Sequence, residues 1–178
     1  EMGVDAVIVQ DLGVARMLHQ VAPQLALHAS TQMTVHSLDG VKECAKLGFT
    51  RAVLSRELSR DQIRHICQNS PIEIETFAHG ALCMCYSGQC YLSSVIGGRS
   101  GNRGLCAQPC RLKYGWGNRA NEYPLSLKDM SLADYLQELE EMGVCCLKIE
   151  GRMKTALYVA TVARTYRKAI DDYLTDPE

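Results

Sequence analysis

The chain has 178 residues, 47% of them hydrophobic and 22% charged, an ordinary globular composition with material for one sizeable core. A formal net charge of −1 excludes a globally basic nucleic-acid binder but leaves room for a local basic patch. No run of about 18 or more apolar residues is available to span a bilayer, and the opening Glu1, Met2 and Gly3 lack the charged and apolar regions of a secretory signal. The expectation is one domain over residues 1–178, cytoplasmic, with no membrane partner.

The first strand-like run is residues 4–10 (VDAVIVQ), followed by a helical pattern over 14–20 and a second strand, 25–32 (LALHASTQ). A helical pattern over 37–47 ends at Gly48, a third strand covers 50–55 (TRAVLS), and a third helix covers 61–69. Ser59 and Gln62 stand at capping-box spacing at the start of that helix, and Pro71 follows its end. The fourth strand is 72–79 (IEIETFAH). Strand starts recur about every 21–25 residues, the period of a βα unit feeding a parallel sheet.

That period breaks after Gly80, where a Gly-, Ser- and Cys-rich insertion runs over residues 80–124. Beyond it come a helix over 131–142, a strand over 145–150 (CCLKIE) and a long amphipathic helix over 155–174. About five βα strands predict an α/β fold, part of a (β/α)8 TIM-type barrel, which closes with eight strands and about 250 residues. A five-stranded doubly wound sheet is the competing architecture. The opening EMGVDAV reads as the end of a helix, so the chain is expected to be a fragment of a larger barrel.

In parallel α/β folds chemistry collects at the carboxyl ends of the strands. Those ends are polar here: Gln10 and Asp11; His28, Ser30 and Gln32; Ser55, Arg56 and Glu57; Glu75 and His79; Lys148, Glu150 and Arg152. Side chains two apart share a strand face, which groups His28 with Ser30 and Gln32, Glu75 with Phe77 and His79, and Lys148 with Glu150 and Arg152. Any strand turns polar as it leaves a core, so single residues carry little. Glu75 and Glu150 carry more, because an acid within an apolar strand is costly unless paired or used. Lys148 and Arg152 are their candidate partners.

Nine cysteines are many for a reducing compartment, where clusters of thiols point to metal or catalysis. Cys44, Cys67, Cys145 and Cys146 lie in apolar-patterned segments and read as packing. The other five, Cys83, Cys85, Cys90, Cys106 and Cys110, lie in the insertion. Six residues separate Cys83 from Cys90, fifteen separate Cys90 from Cys106, and three separate Cys106 from Cys110. Zinc sites use pairs of short knuckles, a spacing that only the last pair has. Four-cysteine iron–sulfur sites accept wider spacing, and glycines at 80, 88, 97, 98, 101 and 104 allow close backbone approach to cluster sulfurs. Spacing therefore favours iron–sulfur over zinc. A cysteine nucleophile beside His79 is a further reading that leaves the other cysteines without a role. Cys85 reads as packing.

From Thr76 through Asn121 there is no Asp or Glu, while Arg99, Arg103, Arg111, Lys113 and Arg119 fall there, interleaved with Tyr86, Tyr91, Tyr114 and Trp116. Positive charge with stacking surface suits single-stranded RNA. The same arginines would equally offset the charge of four thiolates.

The run 75–93 (ETFAHGALCMCYSGQCYLS) closely resembles the signature of the collagenase-like peptidase family U32, and HASTQM (28–33), SRELS (55–59), GNRGLCAQPCR (101–111) and KIEGRMK (148–154) resemble that family's blocks in order. Some members are named for collagenase-like peptidase activity; others are oxygen-independent hydroxylases carrying a [4Fe–4S] cluster and acting on ribosomal RNA, transfer RNA or a ubiquinone precursor. The form GNRGLCAQPCR looks most like the ribosomal-RNA cytidine hydroxylase branch. The resemblance implies a [4Fe–4S] cluster on Cys83, Cys90, Cys106 and Cys110, with Cys85 or Cys145 as the fourth ligand should Cys110 turn away. The hydroxylase reading then uses the polar strand ends and the basic segment: an RNA substrate bound by His28, Gln32, Arg56, Arg103, Arg111, Lys148 and Arg152, with Glu75, His79 and Glu150 positioning it or moving protons. Two alternatives stand beside this reading: a peptidase acting on a protein or peptide, for which neither HExxH nor GxSxG is present, and a non-catalytic RNA-binding scaffold with a structural cluster. Members also begin with about three further βα units, which would complete the barrel.

Overall fold

The computed structural model describes residues 3–151 and 153–175. In chain order it contains β1 (Ala6–Val9), α1 (Leu12–Val21), β2 (Ala26–Ala29), α2 (Leu38–Lys46), β3 (Arg51–Val53), α3 (Arg60–Asn69) and β4 (Glu73–Ala81). There follow α4 (Leu92–Gly97), β5 (Tyr114–Trp116), β6 (Arg119–Glu122), β7 (Asp129–Ser131), α5 (Leu136–Met142), β8 (Cys146–Ile149) and α6 (Ala156–Thr175). Among the described residues no helix is long and apolar enough to cross a membrane.

The first three helices begin where the sequence supplies a side-chain cap. Asp11 accepts from the Val14 amide at 2.8 Å and Ser37 from that of Gly40 at 3.1 Å. Ser59 and Gln62 close the expected capping box, with the Ser59 amide donating to Gln62 Oε1 at 2.8 Å. The second strand stops at Ala29 instead of running to Gln32, because Ser30 caps a 3₁₀ turn over Thr31–Met33.

The expected strands form one mixed α/β sheet in which β1, β2, β3, β4 and β8 lie parallel, each beside the next. Register puts Val9, Leu27, Ala29, Ala52, Leu54 and Ile74 on the face where Ala15, Val41, Cys44 and Ile66 of the first three helices pack. Farther along, Ala78, Leu147 and Ile149 meet Leu136, Val162 and Tyr166 of the last two helices. All five of these helices therefore cover one face, unlike the doubly wound arrangement, which covers both. The other face carries Ile8, His28, Arg51, Glu75, Phe77 and Lys148 in register.

Strand β4 is the hub. Glu75 pairs with Val53 and with Cys146, so β3 and β8 flank it on opposite edges. His79 pairs with Ile149 and with Ser131, so antiparallel β7 continues the edge that β3 leaves. The sequence reading misses β7, of which only the last residue, Ser131, falls in the stretch read as a helix; it likewise misses the small β5–β6 hairpin.

Tyr166 ties α6 to this hub: its hydroxyl donates to the Ala78 carbonyl at 2.8 Å and accepts from the Leu132 amide at 3.0 Å, and the residue is 4% exposed. Tyr166→Phe is expected to lower stability by about 1 kcal/mol, because Leu132 and Ala78 keep their direct backbone bond and lose only the hydroxyl. Urea unfolding followed by circular dichroism measures it.

Candidate active site

The carboxyl ends of the parallel strands open onto a cavity of about 640 Å³. Gln10, Gln32, Arg56, Phe77, Lys148 and Glu150 line it from the strands and the loops after them, and Asn102 and Arg103 close it from the insertion. Arg56 is central. Its guanidinium lies 3.7 Å from the Phe77 ring centroid, its Nη2 is 3.1 Å from Glu150 Oε2, and its buried Nε has no partner among the described residues. Beneath the cavity, Glu75 is 5% exposed; it accepts from Lys148 Nζ at 2.8 Å and lies 3.6 Å from Arg51 Nη1. A carboxylate so enclosed needs these two cations. Lys148 is thus a partner of Glu75, as its place in the sequence suggested, and Arg51 is the second partner, which the sequence did not single out.

Glu150 reaches the cavity, whereas Glu75 and His79 line no cavity of this site. The expected shared face of Glu75, Phe77 and His79 fails for a local reason: a register shift between Phe77 and His79 turns His79 to the helix side. There its Nε2 lies 3.0 Å from the Tyr158 hydroxyl and its ring meets Tyr166 edge-on. His28 stands on the inner sheet face, outside the cavity wall, between Ile8 and Arg51. Burial, and after it the Arg51 guanidinium, hold its pKa below the ordinary histidine value. Arg152 lies outside the described residues.

A second cavity, of about 520 Å³, adjoins the first and is lined by all five cysteines of the insertion. Gln32, Arg56, Asn102 and Glu150 belong to both walls. All nine cysteines are free. Cys85, read from the sequence as packing, lines this chamber with the other four. Cys145 does not: its thiol donates to the Ile74 carbonyl at the opposite end of β4, which removes it as a fourth ligand. Burial raises the Cys110 pKa, while Arg111 pulls it back. Burial pushes Cys67 and Cys146 up to about 11, as suits unreactive packing thiols.

Among the described residues no three His, Cys, Asp or Glu side chains converge tightly enough for a single metal ion. A four-iron cluster asks for a wider arrangement, with thiolates spaced around a cube. A soft, all-thiol donor set around one chamber, with the Gln108 amide already donating to Cys106 Sγ at 3.3 Å, fits such a group.

Two adjacent residues seat the thiol-bearing loop on the sheet. Ser87 is 1% exposed; its amide and hydroxyl donate to the two Glu57 oxygens at 3.0 and 2.9 Å, its Oγ accepts from the Arg56 amide at 3.0 Å, and its carbonyl accepts from Thr34 Oγ1 at 2.8 Å. Gly88, at φ +75°, lies so close to the Gln32 backbone that a Cβ would stand 2.4 Å from the Gln32 oxygen. Asn102 Nδ2 then donates to the Gly88 carbonyl at 3.0 Å. Sequence reasoning passed over Glu57, Ser87 and Asn102 as working parts; their positions inside the SRELS, Cys-signature and GNRG blocks were the available signal.

The described cations of the acid-free segment go separate ways. Arg103 lines the strand-end cavity, Arg99 Nε donates to the Leu105 carbonyl, Lys113 lies 5.6 Å from the Tyr123 ring centroid, and Arg111 is engaged by protein groups. The side chains of Trp116 and Arg119 lie outside the description.

Two measurements check this geometry. Gly88→Ala is expected to unseat the loop, seen as faster limited proteolysis between residues 82 and 92 with the sheet intact by circular dichroism; an unchanged digestion rate counts against the docking. Because the folded His28 pKa is depressed, the unfolded chain takes up a proton that the folded chain refuses as pH falls through about 6.5, so stability is lost in that direction. His28→Asn should therefore lose less of its urea midpoint than wild type between about pH 7.5 and about pH 5.5.

The chain matches Peptidase family U32 over residues 1–178. It is 45% identical over 177 residues to the 23S rRNA 5-hydroxycytidine C2501 synthase of Escherichia coli (strain K12), covering 96% of this chain and 27% of that protein. It is 40% identical over 190 residues to tRNA hydroxylation protein P1 of Bacillus subtilis (strain 168), covering 100% of this chain and 45% of that protein. It is also 36% identical over 189 residues to a protein named Collagenase from Porphyromonas gingivalis (strain ATCC BAA-308 / W83), covering 96% and 45%. The chain thus spans less than half the length of these relatives. With the family's Cys signature on one chamber at the strand ends, the conclusion is plain: this chain belongs to Peptidase family U32.

Proposed function

We propose that this chain is the cluster-bearing catalytic part of an RNA hydroxylase that works without molecular oxygen on a base of ribosomal or transfer RNA. The observation that carries the reading is the common wall of the two cavities, where Gln32, Arg56, Asn102 and Glu150 face both the strand-end pocket and the cysteine chamber. Similarity to proteins named for rRNA and tRNA hydroxylation supports the choice of substrate class. Cys83, Cys90, Cys106 and Cys110 would hold a [4Fe–4S] cluster, which supplies electron-transfer or oxygen-atom chemistry at that wall.

The residues around it have distinct work. Arg103 and Lys148 supply positive charge to an anionic strand, and Gln32 and Asn102 offer amide donors and acceptors for a base edge. Glu150, held by Arg56 at 3.1 Å, is the group placed to take or return a proton. Glu75 acts from below, fixing Lys148. The parallel strands in chain order, with helices on one face alone, support a (β/α)8 barrel completed by the rest of a longer chain. An RNA substrate implies a cytoplasmic protein.

Peptidase chemistry finds less support in the same residues. Among the described residues no serine or cysteine is hydrogen-bonded to a histidine: His79 meets Tyr158, while His19 and His36 meet the Leu47 and Thr34 carbonyls.

Anaerobic purification of the full-length protein should yield iron and sulfide that Cys83→Ala and Cys106→Ala lose. Mass spectrometry of ribosomal and transfer RNA from a deletion strain should show a missing hydroxylation, restored by the wild-type gene. Glu150→Gln should restore it about 100-fold less efficiently or worse. Stoichiometric zinc without iron, or an unchanged RNA pattern alongside proteolysis that survives loss of the cysteines, overturns the proposal.

A further inference from the structure

Arg111, expected from its motif to bind substrate, is committed elsewhere. Its Nη2 donates to the Leu82 carbonyl at 3.0 Å, next to Cys83, and lies 3.6 Å from Asp129 Oδ1. Its Nη1 donates to Ser126 Oγ at 3.0 Å and to the Leu127 carbonyl. Arg111 itself follows Cys110, so one guanidinium ties the segment of the first proposed ligand to that of the last and to the chain returning into β7. A planar fork with several fixed donors suits this task, and a lysine ammonium does not.

Charge adds a second consequence. Arg111 and Lys154 both line the cysteine chamber, and both share the single carboxylate of Asp129, which lies 3.4 Å from Lys154 Nζ. The other three acceptors of Arg111 are neutral. This corner therefore keeps net positive charge beside the thiols, because Glu150, the carboxylate on the chamber wall, is already paired with Arg56. Reducing a cluster by one electron adds one negative charge to the chamber, and a fixed nearby cation favours that state.

We propose that Arg111 is a positioning residue that clamps the Cys83 and Cys110 segments together and, through its charge, raises the reduction potential of the cluster they hold. The proposal rests on the cluster reading above. It gives Arg111 a role toward the cluster in place of one toward RNA phosphate.

The test uses full-length protein purified anaerobically as wild type, Arg111→Gln, Arg111→Lys and Asp129→Asn. Iron and sulfide are counted first, and each protein is then titrated electrochemically with absorbance and paramagnetic resonance as readouts. Arg111→Gln should lower the reduced-to-oxidised ratio at a fixed potential about tenfold, a shift of about 59 mV to the negative for one electron. Arg111→Lys should keep most of the potential but surrender iron to a chelator several-fold faster. Asp129→Asn should shift the potential the opposite way, a sign that a merely structural role does not produce. Equal potentials in all four proteins, or shifts of one sign in Arg111→Gln and Asp129→Asn, overturn the proposal. Should Arg111→Gln retain no cluster, Asp129→Asn decides: a positive shift sustains the proposal and none overturns it. Wild-type protein without iron or sulfide overturns the cluster reading, and this inference with it, so the first count separates the two failures.

Discussion

The buried contact between Ser87 and Glu57 is the interaction on which the site depends. A loop with three cysteines, one glycine and exposed Met84, Tyr86 and Tyr91 has no core of its own, so its order comes from what it docks against. Glu57 receives both donors of Ser87, and Thr34 and the Arg56 amide use the remaining acceptors. Hydrogen bonds to a charged acceptor contribute about 1.5–3 kcal/mol each, and two converge here on one carboxylate. Gly88 then permits a backbone approach to Gln32 that no side chain would allow. The seating of Cys83, Cys85 and Cys90 relative to the strand ends follows from these contacts.

Below that junction the inner sheet face carries more charge than a core tolerates unpaired. Glu75 sits between Lys148 and Arg51, and Arg56 covers Phe77 while holding Glu150. Each pair fixes the direction of a side chain that would otherwise sample many rotamers, and removing one member strands the other in a half-buried site. Glu75 therefore matters to the cavity without lining it. Its carboxylate is the reason Lys148 has a single orientation, and Arg51 balances the second oxygen.

Much of this was legible in the sequence because it follows from periods and caps. The recurrence of strand starts located the five parallel strands, Ser59 and Gln62 located a helix start, and polar strand ends located the cavity. What was illegible depends on events that no period reports. One extra residue between Phe77 and His79 reversed the direction of a histidine that alternation had placed beside Glu75. Strand β7 pairs across a long insertion, and its three residues carry no pattern of their own. The surroundings of Cys85 and Arg111 were illegible for a shared reason: spacing and charge show that a residue is polar or thiol-bearing but not which neighbours it meets.

Arg56 shows why the two halves of the site belong together. It leaves the end of β3, so the sheet fixes its backbone, and its amide binds Ser87, so the insertion fixes it a second time. Its guanidinium is pinned in one plane by Phe77 and along one edge by Glu150, which leaves Nε, buried and unpartnered among the described residues, as a remaining donor at the common wall. A buried donor without an acceptor costs about 1–3 kcal/mol, and sites that bind a ligand can recover that cost when the ligand supplies the acceptor. The fold thus holds the Glu150 carboxylate, the Arg56 guanidinium and the cysteine wall around one point, with side chains fixed by their protein contacts.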